Sequence, residues 1–418
     1  MKKLLAILLT VAMFVTVFAG CGAANTNSDS DKSGLDVKIG FIFLHDENST
    51  YDLNFINAAK AAVKNLGLTD DQVIMKTNIP ESNEAYEAAA DLADSGCDIV
   101  FADSFGHEDF IIQAAKEYTD VQFCHATGTK AHTEGLSNYH NAFASIYEGR
   151  YLAGIAAGMK LNEMIAAGKF TADAAKIGYV GAFTYAEVIS GYTSFYLGTK
   201  SVCPTVTMDV QFTGSWYDEA LEKEAAELLI QKGAKLVSQH ADSMGAPTAC
   251  ETAGIPNVSY NGSTQTACPN TFIVSSRIDW TPYFEYIINC VAKGETIAAD
   301  WCKGIEDGSV ALTDVNESVA AEGTQAAIDD AKAKLASGDL HVFDITNFTV
   351  TVTDKLNVNA TVDANGQLTG YKADVDTDAA YTADTEVIKD GYFHESEYRS
   401  APYFDIRIDG ITTLNEKF

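Results

Sequence analysis

The side chains of this chain that could do chemistry fall into three groups, and two of them fail on spacing. His240, Asp242 and Ser243 supply the residue types of a nucleophilic triad. Near neighbours on one segment cannot build the nucleophile–base–orienter geometry, which needs separate supports. No Gly-x-Ser-x-Gly elbow is present. His45, Asp46 and Glu47 could ligate a metal, yet adjacent residues rarely converge on one ion without partners from elsewhere. The cysteines after Cys21 match no zinc spacing, and the chain has no phosphate loop. Neither catalysis nor a metal nor a cofactor is therefore expected. The third group is Trp216, Tyr51, Phe105 and Phe183, with Asp242, Asn261, Ser104, Asn48 and Asp52 as polar companions. Rings with a few polar atoms are the materials of a binding site: the rings cover a ligand and the polar groups orient it.

Regular elements must position these residues. Residues 37–126 alternate short apolar runs with helical patterns: strands at Val37–Phe43, Gln72–Thr77, Asp98–Ala102 and Val121–Ala126, helices at Asn54–Leu66, Ser82–Ser95 and Glu108–Tyr118. Such alternation predicts a parallel sheet covered by helices on both faces. The pattern restarts with a helix at Ser145–Met164, whose Gly154, Ala156, Ala157 and Gly158 suit close packing. It continues with strands at Lys176–Gly181, Val206–Phe212, Leu236–His240 and Asn257–Tyr260, and helices at Ala186–Thr199 and Pro247–Ala253. Asp218 reads as the N-cap of a further helix that runs to Gly233. Trp216 falls at a strand-to-helix junction, either as a stacking platform or as a lid on the core, and stacking is the favoured reading. Tyr51, Ser104, Phe105 and Phe183 also follow strands, although each ring could equally be core filling. Asp242 follows the strand that ends at His240, where it could accept hydrogen bonds from a ligand or cap the next helix. Residues 348–371 alternate polar and apolar around Asp363-Ala364-Asn365-Gly366, a hairpin signal. The acidic stretch 372–390 reads as loosely packed surface.

The first residues bear on location. Lys2 and Lys3 precede an uncharged, largely apolar run from Leu4 to Phe18, which ends in Phe18-Ala19-Gly20-Cys21. This is the layout of a secretory signal. Cys21 makes it resemble a bacterial lipoprotein signal, with Phe18 where leucine is usual. The resemblance implies acylation of Cys21 and a lipid-anchored protein on the outer face of the cell membrane. Residues 22–34 have little to bury and read as a flexible tether. The net charge of −30 argues against nucleic acid or anionic lipid held through a basic patch. Seven cysteines remain after Cys21. Most are expected to be reduced core residues, with Cys250–Cys268 and Cys290–Cys302 as candidate disulfides.

Several segments together resemble one family. They are Phe101-Ala102-Asp103-Ser104-Phe105-Gly106, His125-Ala126-Thr127-Gly128, Tyr147-Glu148-Gly149-Arg150-Tyr151-Leu152-Ala153-Gly154, Lys176-Ile177-Gly178-Tyr179-Val180-Gly181, Gly214-Ser215-Trp216-Tyr217-Asp218 and Gln239-His240-Ala241-Asp242-Ser243. In order and spacing they are similar to the Med/basic-membrane-protein family, the purine-nucleoside-binding lipoproteins of ABC transporters. The resemblance implies an α/β fold with two doubly wound parallel-sheet lobes, the type I periplasmic-binding-protein class. The expected partition is a signal at 1–20, a tether at 21–35, lobe one at 36–140 completed by about 264–300, lobe two at 141–263 completed by about 301–345, and a small antiparallel β extension at 346–418. It further implies a monomer whose cleft closes on a purine base or nucleoside, which it hands to a permease and its ATPase. Tyr51 lies in a loop that the family uses for ligand contact, and Asn261 where relatives carry Asp or Asn. Residues 45–52 depart from the family pattern, and Asn261-Gly262-Ser263-Thr264 lacks a second acidic residue to hold a ribose. A free base such as adenine therefore fits at least as well as a nucleoside. A sugar, an amino acid or a signal molecule on the same fold, or a role in sensing, stays the alternative.

Overall fold

Residues 34–375 and 383–416 are described by a computed structural model. The expected signal, Cys21 and nearly all of the tether lie outside the described residues. The first lobe is wound from β1 (Ile39–Ile42), α1 (Thr50–Leu66), β2 (Val73–Lys76), α2 (Asn83–Asp94), β3 (Ile99–Ala102), α3 (Glu108–Glu117), β4 (Gln122–Ala126), a short α4 (Ala131–Glu134) and β5 (Tyr139–Ala144). Its strands pair in parallel in the order β5-β4-β3-β1-β2. β1 and β3 are buried at every position, as strands covered on both faces must be.

The second lobe repeats the plan with α5 (Ile146–Ala166), β6 (Lys176–Gly181), α6 (Ala186–Val202), β7 (Thr207–Phe212), α7 (Glu219–Gln231), β8 (Leu236–His240), α8 (Gly245–Ala253), β9 (Asn257–Tyr260) and β10 (Phe272–Ile278). The chain then crosses back: α9 (Thr281–Lys293) packs on α1, and β11 (Asp300–Lys303) joins the first sheet beside β5. β12 (Val310–Leu312) returns to the second sheet, antiparallel to β10, and α10 (Thr324–Ser337) lies against α5. The expected partition needs correction here. Phe272–Ile278 belongs to the second sheet and Asp300–Lys303 to the first, so neither 264–300 nor 301–345 completes a single lobe. Composition does not encode which sheet a strand joins; the crossovers decide it.

The tail carries β13 (Ala360–Val362) and β14 (Leu368–Ala373), an antiparallel pair turned at Asn365-Gly366. β15 (Thr385–Glu386) adds to β14, and β16 (Ile388–Lys389) pairs with β17 (Tyr392–Phe393). β18 (Ile411–Thr413) then runs parallel to β7 at the edge of the second sheet. The tail is thus part of lobe two as well as an antiparallel appendage, and between 383 and 390 the short strands Thr385–Glu386 and Ile388–Lys389 are paired. Phe348, Leu368, Tyr371, Phe393 and Phe404 share the continuous core of the lobes.

Two local features hold the cleft elements in place. α5 and α6 pack backbone to backbone. A Cβ on Gly154 would lie 2.2 Å from the Phe195 carbonyl oxygen, and one on Gly198 would lie 2.0 Å from that of Tyr151. Only glycine fits at these crossings. Helix starts are capped as well: Ser49 accepts from the Asp52 N–H at the head of α1, and Asp218 accepts from the Leu221 N–H at the head of α7. All seven described cysteines are free, and six are buried. The candidate disulfides Cys250–Cys268 and Cys290–Cys302 are not formed; these thiols fill space as small apolar groups.

A candidate ligand site between the lobes

The carboxyl ends of the strands of both lobes face one another, the place where open α/β sheets bind ligands. Between them lies a tight cavity with about 20 Å³ of free space, room for about one water, so a ligand must part the lobes to enter. Lobe one contributes Leu44 after β1, Tyr51 in α1, Ser104 and Phe105 after β3, and Thr127 after β4. Lobe two contributes Glu187 in the first turn of α6, Trp216 after β7, His240 and Asp242 at the end of β8, and Tyr260 at the end of β9. The lobes also touch directly. The Thr50 N–H donates to the Asp242 carbonyl at 3.1 Å, the Asn54 amide donates to the Ile278 carbonyl at 2.7 Å, and the Phe105 and Tyr185 rings sit 5.2 Å apart.

Five sequence candidates meet at this cavity: Trp216, Asp242, Tyr51, Phe105 and Ser104. Trp216 is partly buried and held by Phe183 edge-on at 5.1 Å and by Tyr185 at 6.0 Å. Phe183 is therefore a support behind Trp216 and not a lining residue. The Tyr51 hydroxyl donates to the Asp103 carbonyl at 2.7 Å, and the Ser104 hydroxyl donates to Glu81 at 2.6 Å. With its hydroxyl engaged, Tyr51 offers its ring. Asp242 does not cap α8, whose N-cap is Met244, so its carboxyl is left for other partners.

The other candidates lie elsewhere. Asn48 donates to Asp46 at the exposed approach to α1. Asp52 is fully buried and accepts from the His45 N–H and the Ser49 hydroxyl, which secures the loop after β1. Asn261 stands beside Asp242 but lines a separate interlobe groove with Arg277 and Asp279; its φ of 62° suits asparagine, which tolerates the left-handed region.

Sequence reasoning missed Glu187, Tyr260 and Thr127, and considered His240 only as a catalyst. Glu187 resembles any acidic residue in a first helical turn, and Tyr260 reads as the apolar end of a strand. Thr127 carried two faint signals, its place in the turn after a strand and its position in the family-like stretch His125-Ala126-Thr127-Gly128. Its φ is 65°, unusual for a β-branched residue and of the kind that clusters at functional sites.

Electrostatics sharpen the picture. Burial, then the charges of Glu222, Asp52 and Glu187, holds the Asp242 carboxyl well above the usual carboxylate range. Asp103 is raised in the same way by burial and by Asp52. His240 is lowered by burial, although Glu187 lies 3.3 Å from its Nε2; a neutral imidazole against the Tyr260 ring follows. Below Tyr260 the fully buried Arg150 guanidinium sits 4.4 Å from the ring centroid and donates to the Gln239 carbonyl. The cavity thus offers rings from both lobes, with Glu187 and Asp242 as polar groups. Among the described residues no helix is long and apolar enough to cross a membrane.

Two wound lobes joined by crossovers around a cleft define a solute-binding protein of the type I periplasmic class. Solved structures agree on the fold: a solute-binding protein of an ABC transporter system from Conexibacter woesei superposes with a TM-score of 0.60 at 21% identity, covering 73% of this chain and 98% of that one. One from Aeropyrum pernix K1 gives 0.61 at 18% identity over 76% and 94%. Residues 42–340 match the Bmp family, described as ABC transporter substrate-binding protein, PnrA-like, and the chain belongs to it. Substrate binding, not catalysis, is the work of that family. A purine-binding protein of Brucella abortus is 29% identical over 73% of this chain and 83% of its own length. A Haloferax volcanii protein named for glucose binding by an ABC transporter is 31% identical over 55% of each chain. A nucleoside-binding protein of Lactococcus lactis is 25% identical over 58% of this chain and 66% of its own. A substrate-binding protein of this class works outside the cytoplasm.

Proposed function

We propose that this protein captures a purine base or nucleoside in the interlobe cavity and delivers it to an ABC importer. The observation that carries the reading is one small cavity lined by Tyr51 and Phe105 from one lobe, by Trp216 and Tyr260 from the other, and by two carboxyl groups. Flat rings accept a planar base, and base–aromatic stacking is worth about 1–3 kcal/mol per base in nucleic-acid-binding proteins. Glu187 and Asp242 accept from ring or exocyclic N–H groups. If Asp242 holds its proton, it can instead donate to a ring nitrogen. A ligand touching both lobes favours the closed arrangement by its differential affinity for it. The purine- and nucleoside-binding relatives support this ligand class. The protein acts as a monomer, anchored at the outer face of the membrane by lipid on Cys21, beside its permease and ATPase. The glucose-binding name of one relative favours a second reading, since sugars also stack on tryptophan.

Thermal-shift screening of purified protein against adenine, guanine, their nucleosides, pyrimidines, sugars and amino acids separates the two, because a ligand bound only by the folded state raises the melting temperature. Shifts with purines and not with sugars are expected. A shift with sugars alone would overturn the purine reading.

A further inference from the structure

A second, more open chamber of about 420 Å³ adjoins the ligand cavity and shares three of its walls, Phe105, Thr127 and Glu187. Its far wall is Arg399, Ala401, Pro402, Asp405 and Arg407, all from the C-terminal extension. That extension lies beyond the residues matched by the family, which end at 340. We propose that residues 399–407 complete the ligand site, and that the chamber receives a hydroxyl-bearing substituent of the purine, of which a pentose is the type. This rests on the purine reading of the adjoining cavity.

The extension is fixed over both lobes. The Ser400 N–H donates at 2.8 Å to Asp300 of the first sheet, and the Gly410 carbonyl accepts from Met208 of the second. Phe404 stacks on Phe343 at 4.2 Å, so the segment is held by the core and presents its side chains from a firm base. The chemistry of the wall is mixed. Arg399 donates to the Ala401 and Pro402 carbonyls and makes no salt bridge among the described residues. Arg407 reaches Glu416 at only 3.8 Å. Asp405 stands on the same wall, its carboxyl accepting from the Tyr371 hydroxyl, and across the chamber lie the Glu187 carboxyl and the threonines at 127, 129 and 184. A purely cationic wall would select a phosphate. Donors and acceptors side by side, with the charges balanced, suit neutral hydroxyls, which both donate and accept. The chamber also supplies carboxyl groups for a sugar, which the segment Asn261-Gly262-Ser263-Thr264 lacks.

The test is calorimetric titration of wild type, Arg399→Ala and Ala186→Trp with adenine, adenosine and adenosine 5′-monophosphate. Ala186 lines the chamber, so a tryptophan there occupies it. Wild type should bind adenosine at least tenfold more tightly than adenine, and that ratio should fall at least fivefold in both variants. Adenine titration of each variant doubles as the check that it is folded. Equal affinity of wild type for adenine and adenosine, or an unchanged ratio in both variants, would overturn the inference while leaving the purine reading intact. Tightest binding of the monophosphate would overturn the assignment to a neutral substituent. If wild type binds no purine, the underlying reading falls and this inference with it.

Discussion

Trp216→Ala removes one of the two rings, Trp216 and Tyr260, that lobe two presents to the cavity. Trp216 is partly buried, and its support is one edge-on contact with Phe183 and a looser one with Tyr185. Loss of such aromatic pairs costs about 0.5–1.5 kcal/mol each beyond buried area. The backbone bond from the Asp242 N–H to the Trp216 carbonyl does not depend on the side chain. The variant should therefore fold, with a modest drop in melting temperature. Binding should suffer more. A stacked base contributes about 1–3 kcal/mol, and each 1.4 kcal/mol is about tenfold in Kd, so the loss should be about 5- to 150-fold for adenine. Trp216→Phe, which keeps a ring, should recover part of it. Titration calorimetry of both variants is the assay. A folded Trp216→Ala protein within twofold of wild-type affinity would refute the stacking argument and make Trp216 a lid on the core.

Three further outcomes follow from the structure. Cys21→Ser should abolish metabolic lipid labelling and leave the protein unprocessed or released; persistent labelling would remove the lipid-anchor assignment. Glu222 is fully buried, and burial raises its carboxyl to about 7 from an ordinary 4.5. The folded state thus holds a proton that the unfolded state releases, and the stabilisation, present below pH 4.5, is lost as pH rises through about 7. A displacement of that size is worth about 3 kcal/mol at most. Glu222→Gln should accordingly lose less melting temperature than wild type between pH 5 and 7.5, and parallel pH profiles would contradict this. Finally, Gly154→Ala should separate α5 from α6 and cost about 1–3 kcal/mol or more in denaturant unfolding; an unchanged midpoint would mean that the helices can shift apart freely.

Much of the architecture was legible because it is local. The strands at Lys176–Gly181, Leu236–His240 and Asn257–Tyr260 stand at their expected bounds, and Asp218 caps α7 as its residue type predicts. α1 begins at Thr50 and not at Asn54, because Ser49 and Asp52 cap it four residues earlier than the apolar pattern starts. The exchange of β10 and β11 between the sheets was not legible, since it depends on which crossover each strand follows. At the site, residues after strand ends could be listed from sequence, and five of them converge. The sequence does not say that Asp52 turns inward to its own loop, that Asn48 pairs with Asp46, or that Phe183 stands behind Trp216. Glu187, which looks like a dipole-pairing helix residue, came to the cavity because α6 starts at the cleft. Side-chain direction in loops is a tertiary outcome, and the polar half of the site is built there.

Capture of a purine between the lobes is tested most directly by a crystal structure of the protein grown with adenine. The base should lie in the interlobe cavity, stacked against Trp216, with Glu187 or Asp242 within hydrogen-bond distance of its nitrogens. An empty cavity at saturating adenine, or a purine bound anywhere else, would contradict it.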